Sequence, residues 1–223
     1  MIAFRKLFSP IKIGDLELKN RIVMAHASTD LAAPDGSVSE TLIGYHEART
    51  RGGCALNTVE VAIIDPLGFP MSKSLMISDD KYIPGWRALA NAVHKAGGKV
   101  FCQPTHIGRQ APALYLYGKQ PVSATALSSN ITRLVPHELT TAEIVELVSK
   151  HADAARRAWE SGLDGIEIHC SHEYLIAQFM SPYDNKRTDE YGGSFWNRMR
   201  LPLEVIETVY VSSVQEVCFW SRS

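Results

Sequence analysis

Three proton-handling side chains, His169, His172 and Tyr174, stand within six positions of one another, directly after a short apolar run, Gly165, Ile166, Glu167 and Ile168. Two imidazoles three residues apart can donate hydrogen bonds to a single oxygen, and a phenol beside them can deliver a proton. A lone histidine at a strand end is ordinarily a structural or surface residue, so it is the grouping of three that points to chemistry. If the strand stops at His169 and the chain turns into a helix, both imidazoles face one mouth with Tyr174 close behind. Side chains at the C-terminal ends of strands are held rigidly while the loops that follow stay free to vary. Downstream, Asn185 to Glu190 reads as a solvated loop, Gly192 and Gly193 allow a tight turn, and Ser194 caps the next helix.

The elements that must position these groups alternate between strands and helices. Ile11 and Ile13 alternate with polar residues, Gly14 and Asp15 supply a turn, and Leu16 and Leu18 return, which predicts a hairpin suited to the floor of a barrel. A first strand spans 21–27, a turn-rich segment follows to Ser39, and a helix over 40–51 stops at Gly52 and Gly53. A β-branched run over 55–64 is the second strand; a long loop, a helix over about 84–95 and a third strand over 99–103 come next. Residues 110–138 lack periodicity and read as a lid or binding excursion. Thr140 and Glu143 form a capping box that opens a helix through Trp159, and the apolar run at 165–168 is the fourth strand. A last helix runs from Ser194 to about Tyr210, kinked at Pro202. Four strand–helix units fill residues 1–210; residues 211–223 show no fifth strand and read as a tail foreign to the pattern.

With 223 residues, 45% of them hydrophobic, the chain can bury one sizeable core. A net charge of −1 with interspersed signs excludes a nucleic-acid or membrane-surface partner and leaves a small-molecule substrate. Cys54, Cys102, Cys170 and Cys218 form no Cys-x-x-Cys pair and fit a reducing compartment better than a disulfide framework. The N-terminal MIAFRKLFSPIKIG lacks the apolar run of a signal peptide, so a cytoplasmic location is expected.

The pattern His169-x-x-His172-x-Tyr174, then Gln178-Phe179, then Ser181-Pro182-x-x-Asn185-x-Arg187-Thr188-Asp189-x-Tyr191-Gly192-Gly193 resembles the Old Yellow Enzyme family of FMN-dependent oxidoreductases. That resemblance implies a (β/α)8 barrel, of which this chain supplies about the first four units with an N-terminal β-hairpin. It places His26, Ala27 and Ser28 against the flavin ring, although the family often has proline and methionine where His26 and Ala27 stand. It places Val61, bulkier than usual, beside the flavin, and gives Gln103 the pyrimidine edge, in a context with His106, Gly108 and Arg109. The implied reaction uses NAD(P)H to reduce FMN and passes hydride to the β-carbon of an alkene activated by a carbonyl or nitro group. His169 and His172 then hold the activating oxygen, and Tyr174 protonates the α-carbon.

The motif also resembles the 2,4-dienoyl-CoA reductase and trimethylamine dehydrogenase type, whose iron–sulfur cluster and second flavin domain have no counterpart in this sequence. In the family, the flavin's cationic partner and phosphate loops come from strands five to eight. A chain of four units is therefore expected either to be completed by dimerisation or a complementing chain, or to be a catalytically inactive truncated fragment. A further alternative is a metal-dependent barrel enzyme with His106, His169 and His172 as ligands, although no acidic ligand motif accompanies them.

Overall fold

The computed structural model describes residues 4–68, 73–212 and 218–221, the last four as backbone. Strands β1 (Ile11–Ile13) and β2 (Leu16–Leu18) form the antiparallel hairpin, turned at Gly14 with φ +56°. After β3 (Val23–Met24) come α1 (Glu40–Arg51), β4 (Leu56–Ile63), β5 (Leu75–Met76), α2 (Ile83–Lys95) and β6 (Lys99–Thr105). The excursion beyond β6 carries two short strands, β7 (Val122–Ser123) and β8 (His137–Glu138), paired in parallel. Then follow α3 (Thr141–Glu160), β9 (Gly165–Ile168), α4 (Leu175–Met180), α5 (Phe195–Arg198), α6 (Arg200–Ser212) and β10 (Cys218–Ser221).

The main sheet is parallel and runs β3, β4, β6, β9, β10 in space, the order in which these strands occur along the chain, with β5 beside β4. Strands adding one after another in this way, with helices on the connections, make part of a (β/α)8 barrel. All eight residues of β4 and all four of β9 are buried, the polar Asn57, Thr58, Glu60 and Glu167 included. Leu89 and Val93 of α2, and Ile144, Leu147, Ala154 and Ala158 of α3, recur at helical spacing and close the outer core. Beneath the sheet, Ile11, Ile13 and Leu16 pack on Leu18, Ala55, Leu56 and Phe101, so the hairpin covers the starting end of β4 and β6.

Several expectations are corrected. The first strand is two residues rather than seven, since among the described residues β3 pairs with β4 alone and Val23 is 41% exposed. The loop after β4 contains β5. The last helix breaks at Met199, between α5 and α6, and not at Pro202, which lies in the first turn of α6 where a backbone N–H has no helical acceptor to lose. A fifth strand does exist: Cys218–Ser221 pairs in parallel with Gly165–Ile168. Cys-Phe-Trp is a sequence of good strand formers, and β9 otherwise offers that edge unpaired backbone groups. Residues 213–217 of the tail lie outside the described residues.

Asp164 fastens this frame just ahead of β9. Its carboxylate accepts from the Val100 backbone N–H at 2.9 Å and from Lys99 Nζ at 3.0 Å, and it pairs with His94 Nε2 at 2.6 Å. Burial pushes its pKa up, but the bonds from His94, Val100 and Lys99 outweigh burial and hold it below the usual carboxylate value. A group with a depressed folded pKa contributes stability above its unfolded pKa, about 4, and loses it as pH falls through the folded value. Asp164→Asn is expected to cost about 2 kcal/mol at neutral pH. Urea denaturation across pH should show that gap narrowing below about pH 4; a gap constant with pH would contradict the ionic assignment.

Candidate active site

His169 is the first residue beyond β9 and is buried. The Ser171 backbone N–H donates to its Nδ1 at 3.2 Å, which leaves the proton of the neutral ring on Nε2, 3.2 Å from His172 Nδ1. The chain doubles back because His172 and Glu173 both adopt left-handed φ, +57° and +54°. Tyr174 then begins α4, its ring 4.7 Å from that of His169 and 6.0 Å from that of His172. Non-glycine residues in this conformation cost roughly 1 kcal/mol each and need outside support. Gln110 Nε2 donates to the His172 carbonyl at 2.8 Å, Gln178 Nε2 to that of Glu173 at 2.6 Å, and the Leu175 N–H to that of His106 at 3.0 Å.

Burial, with His172 and His26 close by, pulls the His169 pKa down to about 4 against the opposing pull of Glu167, so the ring is neutral at physiological pH. Burial raises the Tyr174 phenol, which therefore keeps its proton.

Gln103, near the end of β6, is buried on the same side. Its Nε2 donates to Glu167 Oε1 at 2.7 Å and lies 2.9 Å from His26 Nδ1. His26 Nδ1 is itself 2.9 Å from Glu167 Oε1. With the carboxylate taking protons from both neighbours, His26 keeps its lone pair on Nε2, and the Gln103 amide is turned so that Oε1 is left over. That oxygen is buried without a hydrogen-bond partner. The His26 ring stands 5.7 Å from His169 and 6.3 Å from His172. The ends of β6 and β9, and the segment after β3, thus gather an amide, a carboxylate, three imidazoles and a phenol.

Of the expected site residues, the structure brings His26, Gln103, His169, His172 and Tyr174 together. Val61 is buried and sits in register beside Gln103, whereas Ala27 and Ser28 lie exposed in irregular chain. His106 does not join the other histidines: its buried Nδ1 accepts from the Gly108 N–H at 3.0 Å, and its charged neighbours are Asp65 and Lys150. The third imidazole of the cluster is His26. Nor is 185–190 a solvated loop throughout. Asn185 Nδ2 donates to the carbonyls of Phe179 and Tyr191, both at 2.7 Å, and Arg187 reaches the Ala124 carbonyl at 3.1 Å, so both side chains are buried.

Two buried carboxylates are absent from the residues expected from the sequence, Glu167 and Glu60. Glu60 is also buried and accepts from the Thr29 backbone N–H; burial raises its pKa despite that bond. The signal available was a glutamate in the middle of an otherwise apolar strand. The left-handed turn gives a direct test. Glu173→Gly should change stability by less than about 1 kcal/mol, because glycine adopts that φ freely. Glu173→Pro, locked near −65°, should cost more than about 3 kcal/mol. Urea midpoints read both, and equal losses would show that the turn is not held in this form.

The model of the NADH:flavin oxidoreductase / NADH oxidase family matches residues 6–221, a range that includes β10. The chain is 47% identical over 210 residues to the NADH oxidase of Thermoanaerobacter brockii, covering 94% of this chain and 32% of that protein. A solved 2-naphthoyl-CoA reductase complex superposes with a TM-score of 0.92 at 31% identity, covering 97% of this chain and 35% of that one. Morphinone reductase with tetrahydroNAD gives 0.88 at 32% identity, covering 93% and 61%. The chain thus spans about a third of the length of the first curated relatives it matches.

Proposed function

Because the chain belongs to the NADH:flavin oxidoreductase / NADH oxidase family, we propose that it carries the substrate-facing half of an FMN site that reduces activated alkenes at the expense of NAD(P)H. The observation that carries this reading is that Glu167 takes hydrogen bonds from both Gln103 and His26, which brings the amide to the imidazole cluster, with the amide oxygen of Gln103 buried and unpartnered. An acceptor left over in a buried amide fits the ring N–H of a flavin pyrimidine, and Glu167 keeps the amide in the orientation that offers it. Val61 packs alongside, and Ser28 and Ala27 would border the ring from the exposed segment after β3.

Bound FMN would supply the hydride acceptor and donor chemistry. The chain's own residues handle the oxygen and the proton. His169 Nε2 and His172 Nδ1, 3.2 Å apart, face a common point. An enone or enoyl oxygen placed there can accept from both, provided the His172 proton sits on Nδ1, and takes over the hydrogen bond the two rings share. With its proton on Nδ1, His172 joins His169 Nε2 as a second donor toward that point, and the pair favours negative charge growing on the oxygen. Tyr174, a phenol kept protonated by burial, would deliver its proton to the α-carbon. Gln110 and Gln178 act through the backbone, holding His172 and Glu173 in the turn that aligns both donors.

No described helix is long and apolar enough to cross a membrane. Cys54, Cys102 and Cys170 are free, which supports the cytoplasm as the working compartment.

The purified chain should show yellow FMN absorbance that bleaches with NADPH and recovers on adding an enone. Tyr174→Phe should slow the enone step about 100-fold or more in stopped flow while leaving flavin reduction unchanged. Equal loss in both half-reactions would refute the proton-donor role, and a colourless chain that takes up no FMN would refute the site.

A further inference from the structure

We infer that His26, His169 and His172 form a binding site for one divalent cation of the zinc type, and that this cation excludes the substrate oxygen from the same imidazoles. One ring nitrogen from each residue lies within 4.8 Å of the other two. Two nitrogens on a tetrahedral zinc ion at about 2.0–2.1 Å stand about 3.3 Å apart. His169 Nε2 and His172 Nδ1, at 3.2 Å, already have that spacing. His26 is only partly buried and supplies the third nitrogen, within 4.8 Å of the other two, so coordination requires its ring to close in.

The surroundings prepare these rings to act as ligands. Glu167 Oε1 takes the Nδ1 proton of His26, an arrangement in which a carboxylate orients the imidazole and raises the basicity of its far nitrogen, Nε2. Coordination through His169 Nε2 moves its ring proton to Nδ1 in exchange for the bond from the Ser171 N–H, and Ser171 Oγ, 3.4 Å from Nδ1, is the acceptor for a hydrogen bond there. His172 is exposed, which leaves an entry path and a fourth position for water. His106, the ligand expected from the sequence, has no part in the site.

Coordination uses the lone pairs of the nitrogens whose protons a substrate oxygen would need, so the two ligands cannot share the site. Only this exclusion rests on the flavin reading; cation binding does not.

The test is Co²⁺ titrated into the chelator-treated full chain, read by visible absorbance, with Zn²⁺ displacement followed by calorimetry. The expected result is one equivalent with the intense bands of a tetrahedral ion. His26→Gln, which keeps a hydrogen bond toward Glu167, should weaken binding by more than about 100-fold. His137→Ala, at an exposed histidine that pairs with Glu143, should leave it unchanged. Circular dichroism must match wild type for each variant, and should His26→Gln unfold, His172→Ala serves in its place with the same expected loss. A weak octahedral spectrum, or unchanged affinity in the histidine variant, overturns the site. In flavin-loaded chain, Zn²⁺ should inhibit enone reduction competitively with the enone and reversibly with chelator; non-competitive inhibition overturns the exclusion. A chain without flavin turnover fails the functional proposal, while the Co²⁺ result still decides the cation site.

Discussion

Glu167 is the constraint around which the site is built. Its carboxylate is 1% exposed in the interior of the sheet, where an unpaired charge would be costly. The structure meets that cost with the Gln103 amide and the His26 ring. In doing so it ties the end of β6 and the segment after β3 to β9. One buried acceptor therefore decides which atom of Gln103 remains available and which nitrogen of His26 keeps its lone pair.

The turn after β9 is the second requirement. Two successive left-handed residues are unfavourable by themselves, and the segment is held by carbonyl bonds from Gln110 and Gln178 and by the pairing of Leu175 with His106. Those anchors depend on a frame further out. Arg109 meets Asp184 at 2.6 Å in a pair with both side chains about 5% exposed, which fastens the loop after β6 to the loop after α4. Asn185 and Arg187 bind main-chain carbonyls around them. Much of the long sequence motif thus holds the turn in place rather than touching a ligand.

Three imidazoles at one mouth are chemically ambivalent, since a ring nitrogen can offer either a proton or a lone pair. Ser171 and Glu167 set which nitrogen carries the proton in two of the rings. The proposed oxygen-holding role and the proposed cation site draw on the same atoms in opposite protonation patterns, and this makes them exclusive.

The sequence by itself determined the local order and the family. The hairpin at Gly14, the capping box at Thr140, the buried runs of β4 and β9 and the His169, His172, Tyr174 spacing are short-range patterns, readable within a window of a few residues. Tertiary structure decided the rest. Gln103 meets Glu167 across 64 positions and His26 across 77, pairings set by parallel register and crossover packing that no local window encodes. The same reason explains why His106 was misplaced beside the other histidines, why the break fell at Met199, and why Cys218–Ser221 became a strand: it needed the open edge of β9, which exists only once the sheet has formed.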